Sequence, residues 1–211
     1  MIKKSKKEFI YEELKNEIIL GTLQPRDRII ELAIAEKFNS SQAPIREALL
    51  KLQEDGLVEL IPFTVAFVSE ISFDEIKELF EYRRIIELND LKNGIYLLTT
   101  QDFLSLEKII IDMKEAGKQK ELSTLISCEM LFHRKVIEKA QRKMSLNIWK
   151  KLDIHISRFI ASVHSKYFED LEEIALKHEP LLHVLKQKNL DEAKKIFSEH
   201  LNVEPIIQKI T

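Results

Sequence analysis

Apolar residues recur at helical spacing along most of this chain, and the places where that pattern breaks divide it into elements. Between about Ser41 and Asp55, Ile45, Leu49 and Leu52 form an inward stripe, while Gln42, Ala43 and Arg46 fall together on another face. The spacing predicts a short helix with one face to pack and one left to solvent. Ser41 is placed to cap it, Pro44 is tolerated in a first turn whose N–H groups lack helical partners, and Gly56 ends it. A preceding helix over about Ile30 to Phe38 ends at Asn39, a residue type that tolerates the left-handed backbone a tight turn between helices needs. Upstream, Ser5 and Glu8 have capping-box spacing before Phe9, Leu14 and Ile18, and Gly21 closes that helix. Downstream, Val58 to Ile61 and Val65 to Val68, separated by Pro62 and Thr64, read as a small hairpin. Three helices and a hairpin in this order predict a winged helix-turn-helix.

Beyond it the pattern is almost wholly helical. Ser72 and Glu75 repeat the capping-box spacing just ahead of Ile76, Leu79 and Phe80, which puts a boundary between domains near residues 69 to 74. Phe73 to Ile86 belongs to a long first helix, and Asp102 opens a second that carries Leu104, Leu106, Ile109, Ile110 and Met113. Leu122 to Lys139, Ser145 to Val163, about Tyr167 to Gln187, and Asn189 to Val203 complete a series of six. Six helices in this length predict an antiparallel bundle. The expected fold is therefore mainly α, with a winged helix-turn-helix over residues 1–70 and a helical bundle over 71–211.

Composition narrows the function classes. With 211 residues, 45% hydrophobic and 32% charged, the chain can build a real core. No apolar run approaches the roughly 20 residues of a membrane span. The N-terminal lysines lead into Glu8, Glu12 and Glu13 rather than an apolar segment, so a cytoplasmic protein without a signal peptide is expected. Cys128 is the single cysteine, which excludes an internal disulfide and reads as an ordinary helical residue. Net charge is −2, so bulk electrostatics do not announce nucleic-acid binding and placement must. Candidate phosphate contacts are Lys3, Lys4, Arg26, Arg28, Lys37, Arg46 and Lys51, a set small enough that two copies acting together are needed for specific binding.

Within the bundle, Glu129 and His133 stand one helical turn apart and project from one face, a spacing that suits one carboxylate and one imidazole on a metal. His178 and His200 lie on two later helices, and antiparallel neighbours can bring all four to one depth. Glu and His at this spacing are also common on helix surfaces, so the pair alone is weak evidence.

The segment Gly21 to Leu60 resembles the N-terminal domain of the GntR family of bacterial transcription regulators. Leu23, Pro25, Ile34, Ala35, Phe38, Ser41, Pro44, Ile45, Arg46, Glu47, Ala48, Leu49, Leu52, Gly56, Leu57 and Val58 occupy its signature positions. Residues 73 to 211 look like the FCD effector domain of that family's FadR branch in a six-helix form. Glu81, Arg83 and Glu87 match its first motif, Glu129, Phe132 and His133 its second, and His178, Ala193 and His200 its last. The resemblance implies a homodimer on a palindromic DNA operator, read by Arg26, Arg28, Ser41, Gln42, Ala43, Arg46 and Lys51. It also implies a divalent metal, zinc or nickel, at Glu129, His133, His178 and His200, beside a pocket for a small carboxylic-acid effector. Arg83 is the candidate anchor for that acid, since a guanidinium grips a carboxylate with two parallel hydrogen bonds, though an ion pair with Glu81 or Glu87 would also suit it. Arg158 is a second candidate, whereas His155, His164 and His183 are expected at the surface or at helix interfaces. Two alternatives stay open: a regulator that answers to the metal alone, and a metal-dependent enzyme, for which no motif places a general base.

Several positions depart from the family pattern. The first ligand is Glu129 where Asp is usual, the residue after Ser41 is Gln42 where Arg is usual, Arg26 stands in place of a glycine, and Ser40 replaces a core valine. Thr64 and Val65 take the places of the wing's basic residue and glycine, which weakens the expected minor-groove contact.

Overall fold

The local signals at Ser5, Asn39 and Gly56 set the first part of the fold. The computed structural model describes residues 5–61, 65–168 and 170–210. The chain divides into two units, Met1–Ile71 and Ser72–Thr211.

In the first unit, helix α1 spans Lys6–Ile19 and begins in the expected capping box. The Ser5 hydroxyl accepts from the Glu8 N–H, and the Glu8 carboxylate accepts from the Ser5 N–H at 2.8 Å. A two-residue strand β1, Arg28–Ile29, precedes α2, Glu31–Lys37, and α3, Gln42–Glu54. The turn between α2 and α3 rests on Asn39 at φ 45°, in the left-handed region. Its N–H donates to the Glu36 carbonyl and the Ser40 N–H to the Ala35 carbonyl at 2.9 Å, the paired closure of a Schellman motif. Gly56, at φ 71°, closes α3 in the same way. Ile10, Leu14, Ile18, Ile45, Leu49, Leu52 and Leu57 are buried where the helices meet.

Strands β2, Val58–Ile61, and β3, Val65–Val68, form the expected hairpin, with Val58 opposite Val68 and Ile61 opposite Val65. Strand β1, which the hydrophobic pattern did not signal, pairs with the other side of β3 to make the order β1-β3-β2. Two residues are too short for a strand periodicity to register. The wing positions Pro62 and Thr64 and the phosphate candidates Lys3 and Lys4 lie outside the described residues.

The second unit opens with α4, Phe73–Gly94, under the Ser72/Glu75 capping box. A single 3-10 turn, Ile95–Leu97, leads to α5, Thr100–Lys118, followed by α6, Leu122–Glu138, and α7, Lys143–Tyr167. Helix α5 starts two residues before the expected Asp102. Thr99 is its cap, and Asp102 is the third helical residue, whose carboxylate accepts the Thr99 N–H at 2.8 Å. The single helix expected over 167–187 is instead the end of α7, a short α8, Glu172–Leu176, and α9, Glu179–Gln187. Pro180 falls in the first turn of α9, where its missing N–H costs nothing. Helix α10, Leu190–His200, is capped by Asn189 as expected, and α11, Glu204–Ile210, adds a turn that the pattern did not signal.

Helix α5 packs on α6 and α8, and α4 on α6, α7 and α10. Leu106, Ile110, Met113, Leu125, Phe132, Val136, Leu185 and Phe197 belong to the common core. A Cβ added at Gly117 would lie 2.9 Å from backbone atoms of Leu171 and Glu172, so α5 meets the start of α8 backbone against backbone. Asp90, fully buried, accepts from Ser145 Oγ at 2.6 Å and Arg142 Nη1 at 3.2 Å, tying the end of α4 to the start of α7.

Candidate functional site

In the helix-turn-helix, α3 buries Ile45, Ala48, Leu49 and Leu52 and exposes Gln42, Ala43 and Arg46, as the spacing requires. The Arg46 side chain is 63% exposed; its Nε donates to Glu31 Oε2 at 2.8 Å and an Nη to Gln42 Oε1 at 3.4 Å. Gln42 and Arg46 therefore form one polar pair at the open end of the helix. Ser41 takes the N-cap position, but its side chain makes no capping hydrogen bond. Lys51 departs from this group. It falls about half a turn round α3 from Gln42 at 100° per residue, and its ammonium sits 3.8 Å over the Tyr11 ring. Arg28 lies in β1, and Arg26 takes φ 69°, a left-handed conformation that a glycine would adopt without steric cost. Arg26 pairs with Glu70 at 2.7 Å and Lys37 with Glu17 at 2.5 Å.

In the second unit three helices bring imidazoles to one point. His133 projects from α6, His178 is the residue before α9, and His200 ends α10; their ligand nitrogens all lie within 4.8 Å of one another. The His133 and His200 rings stack at 5.2 Å, and those of His178 and His200 meet edge to face at 4.6 Å. Hydrogen bonds fix two of the rings. His178 Nδ1 faces the Ile174 carbonyl at 2.8 Å, and a carbonyl only accepts, so Nδ1 carries the proton and Nε2 a lone pair. His133 Nδ1 faces Glu87 Oε2 at 2.8 Å. Burial works against ionisation of Glu87, but His133, Arg83 and their hydrogen bonds outweigh it and hold the carboxyl at about 2. Ionised Glu87 accepts, so His133 too keeps its proton on Nδ1. The Nε2 atoms of both rings are buried without a hydrogen-bond partner.

Burial pushes all three histidines below their ordinary value, His178 to about 3, so they are neutral and able to ligate. Glu87 also accepts from Trp149 Nε1 at 2.9 Å and Arg83 Nε at 2.8 Å. A carboxylate behind one histidine and a backbone carbonyl behind another are the outer contacts that orient metal-binding imidazoles. The donor set therefore suits a borderline divalent ion such as zinc or nickel.

A cavity of about 610 Å³ adjoins this point and includes His178, His200, Arg83 and Glu129 in its lining. Arg83 is 2% exposed; the alternative pairing with Glu87 is present through its Nε, and Nη2 has no hydrogen-bond partner among the described residues. Glu129 lines the same cavity but stands outside the triangle of imidazoles. Its Oε2 lies 3.9 Å from His164 Nδ1, and burial raises its carboxyl to about 7. His164, which the sequence did not single out as a site residue, is buried against the cavity, and burial lowers it to about 4. Of the other candidates, Arg158 is buried but is not among the lining residues, His155 is half-buried and His183 is exposed.

Residues 6–68 match the model of the bacterial regulatory proteins of the gntR family, and residues 78–203 match that of the FCD domain. The transcriptional repressor RspR of Escherichia coli is 22% identical over 192 residues, covering 91% of this chain and 84% of that protein. The gluconate operon transcriptional repressor of Bacillus licheniformis is 28% identical over 203 residues, covering 94% and 82%. Among solved structures, E. coli McbR/YncC superposes with a TM-score of 0.84 at 21% identity, covering 99% of this chain and all of that one. A transcriptional regulator from a Rhodococcus species gives 0.78 at 18% identity, covering 97% of each. The two named relatives are transcriptional repressors, and the enzyme alternative falls with them. This chain belongs to the gntR family of bacterial regulatory proteins and is a DNA-binding transcription regulator carrying an FCD domain.

Proposed function

We propose that this cytoplasmic regulator binds a palindromic operator as a homodimer through its N-terminal unit, residues 1–70, and that its helical unit, residues 71–211, forms the dimer and senses a small carboxylic acid beside a divalent metal. His133, His178 and His200 hold the ion, zinc or nickel, with Glu129 as the remaining candidate ligand. The bound ion would supply a Lewis-acid contact for the effector's carboxylate. Arg83 grips the same carboxylate through the Nη group that has no partner among the described residues. Gln42, Ala43 and Arg46, with Ser41 at the helix start, read base edges, and Arg26 and Arg28 contact the backbone.

The observation that carries this reading is the convergence of three neutral imidazoles, two with orphaned Nε2 atoms, on a cavity that also holds an underused buried guanidinium. The cavity favours an organic effector over a regulator that answers to the metal alone. One relative is named the gluconate operon transcriptional repressor, and gluconate is a carboxylic acid, which agrees with this reading. A coupling of roughly 1 to 3 kcal/mol between effector and DNA would change occupancy about 5- to 150-fold. The test is metal analysis of the purified chain, followed by gel shifts with metal-loaded and stripped protein and a panel of carboxylic acids. Loss of both metal and acid response in a His133→Ala/His178→Ala variant is the expected result. A stripped protein that answers the same acids with the same affinity overturns the reading.

A further inference from the structure

The cavity beside the three imidazoles has two unlike kinds of lining. Its buried polar groups are Arg83, Glu129, His164 and His178, with His200 partly covered. The rest of the interior wall is hydrocarbon, built from residues such as Phe80, Phe159, Ile160, Phe168, Ile196 and Ile206. Among the described lining residues only Tyr167 and Asn202 carry a neutral hydroxyl or amide, and both are exposed. Glu173, Lys177, Glu199 and Lys209 are exposed as well, so they belong to the rim.

We infer that the effector is a monocarboxylate with an apolar body, an aliphatic or aryl-aliphatic acid, rather than a polyhydroxy acid or a dicarboxylate. The inference rests on reading this cavity as the effector site. The single buried guanidinium, Arg83, serves one carboxylate. With the ion and Arg83 both taken by the first carboxylate, a second would find no other buried cation in the described lining, and it would have to share the interior with the Glu129 carboxyl. Glu129 Oε2 and His164 Nδ1 could each pair with one hydroxyl of a sugar acid, but every further hydroxyl would be taken from water and set against hydrocarbon without a partner. An alkyl or aryl body gains from the same wall. The volume, about 610 Å³, exceeds what a two- or three-carbon acid occupies and falls within the range of ligand pockets.

The experiment is calorimetric titration of the zinc-loaded full chain with butyrate, hexanoate, octanoate, succinate and gluconate. Kd is expected to tighten roughly fourfold per methylene along the aliphatic series, with succinate and gluconate no tighter than butyrate. Ile206→Asn, a change at a half-buried wall position, is expected to weaken octanoate roughly tenfold and to flatten the dependence on chain length. Gluconate or succinate binding more tightly than octanoate overturns the inference while leaving a carboxylate-sensing site in place. A series that is flat in chain length, or unaltered by Ile206→Asn, overturns it too. Failure of every acid to bind overturns this inference and the effector reading together.

Discussion

Glu87 is the residue on which the proposed metal site most directly depends, although it touches no metal in the reading above. Its two oxygens are divided. Oε1 accepts from Arg83 Nε and Trp149 Nε1, at 2.8 and 2.9 Å, while Oε2 faces only His133 Nδ1, at 2.8 Å. Glu87→Gln keeps this shape and changes the chemistry at one atom. With two N–H donors aimed at Oε1, the amide oxygen must stay there, so the amide nitrogen takes the place of Oε2 and donates to His133 Nδ1. The imidazole answers by moving its proton to Nε2, the atom that faces His178 and His200. A protonated Nε2 cannot ligate.

The expected loss of metal affinity is the 10- to 100-fold typical of changes to such outer contacts. The same substitution leaves the Arg83 charge buried without a counter-ion, which costs about 3 to 5 kcal/mol of stability in the metal-free protein. Competition against a chromophoric chelator gives the first quantity and urea denaturation of stripped protein the second. The ¹⁵N shifts of His133 report the tautomer directly. Metal affinity within twofold of the parent, together with an unchanged Nδ1–H tautomer, would refute the reasoning.

Five other changes probe separate contacts. Gly117→Ala puts a Cβ 2.9 Å from backbone atoms of Leu171 and Glu172, so urea denaturation is expected to show a loss of about 1 to 3 kcal/mol; an unchanged midpoint would mean that α8 shifts freely. Burial raises the Asp102 carboxyl, but its bonds to Lys139 and Thr99 outweigh that and hold it at about 2. A depressed carboxyl contributes stability above its unfolded value that is lost as pH falls through the folded one. Asp102→Asn should therefore be less stable than the parent at pH 6, by no more than about 1 kcal/mol given solvent screening, and the gap in Tm should close between about pH 4 and pH 2. Gln42→Arg is expected to shift the preferred operator base from adenine towards guanine in a binding-site selection, and an unchanged profile would remove Gln42 as a base reader. Arg46→Ala should weaken operator binding by about 1 to 3 kcal/mol, whereas Lys51→Ala, stacked on Tyr11, should leave the salt dependence of binding unaltered; a smaller salt slope would put Lys51 back on the DNA.

What the sequence made legible was local. Capping boxes at Ser5 and Ser72, the left-handed turns at Asn39 and Gly56, and the inward stripe of α3 each depend on residues within one or two turns, and each is present as expected. The helical wheel also holds the position of Lys51, opposite Gln42, although only the placement of Tyr11 on α1 shows what the lysine does there. The break between α8 and α9 was hidden because apolar spacing continues across it, with Ile174, Ala175, Leu181 and Leu182 all buried. That break puts His178 at the start of α9, with its Nδ1 on the carbonyl of Ile174. His164 could not be found for a related reason. Its burial comes from the packing of α7 against α6, which spacing along α7 does not encode. Spacing did reveal that Glu129 and His133 share a face, but the direction of the Glu129 carboxylate is set by its neighbours.

The near-neutral charge of the sequence has a counterpart at the reading head. Arg26, Lys37 and Arg46 each hold a carboxylate, of Glu70, Glu17 and Glu31. In the proposed operator complex each would exchange that partner for a phosphate or a base edge, so the gain per contact would be a difference between two exposed interactions rather than a full ion pair. Exposed pairs contribute little, so the exchange is easily made and yields little per residue. Affinity then accumulates mainly through the number of contacts made together, which favours two copies on one operator. In the same proposal specificity falls to the Gln42–Arg46 pair, because Arg46 released by Glu31 still shares Gln42. A substitution at Glu31 should therefore raise affinity across all sequences, while one at Gln42 should alter the preferred base; a gel-shift series in which Glu31→Gln leaves non-specific DNA binding unchanged would show that the carboxylate does not restrain Arg46.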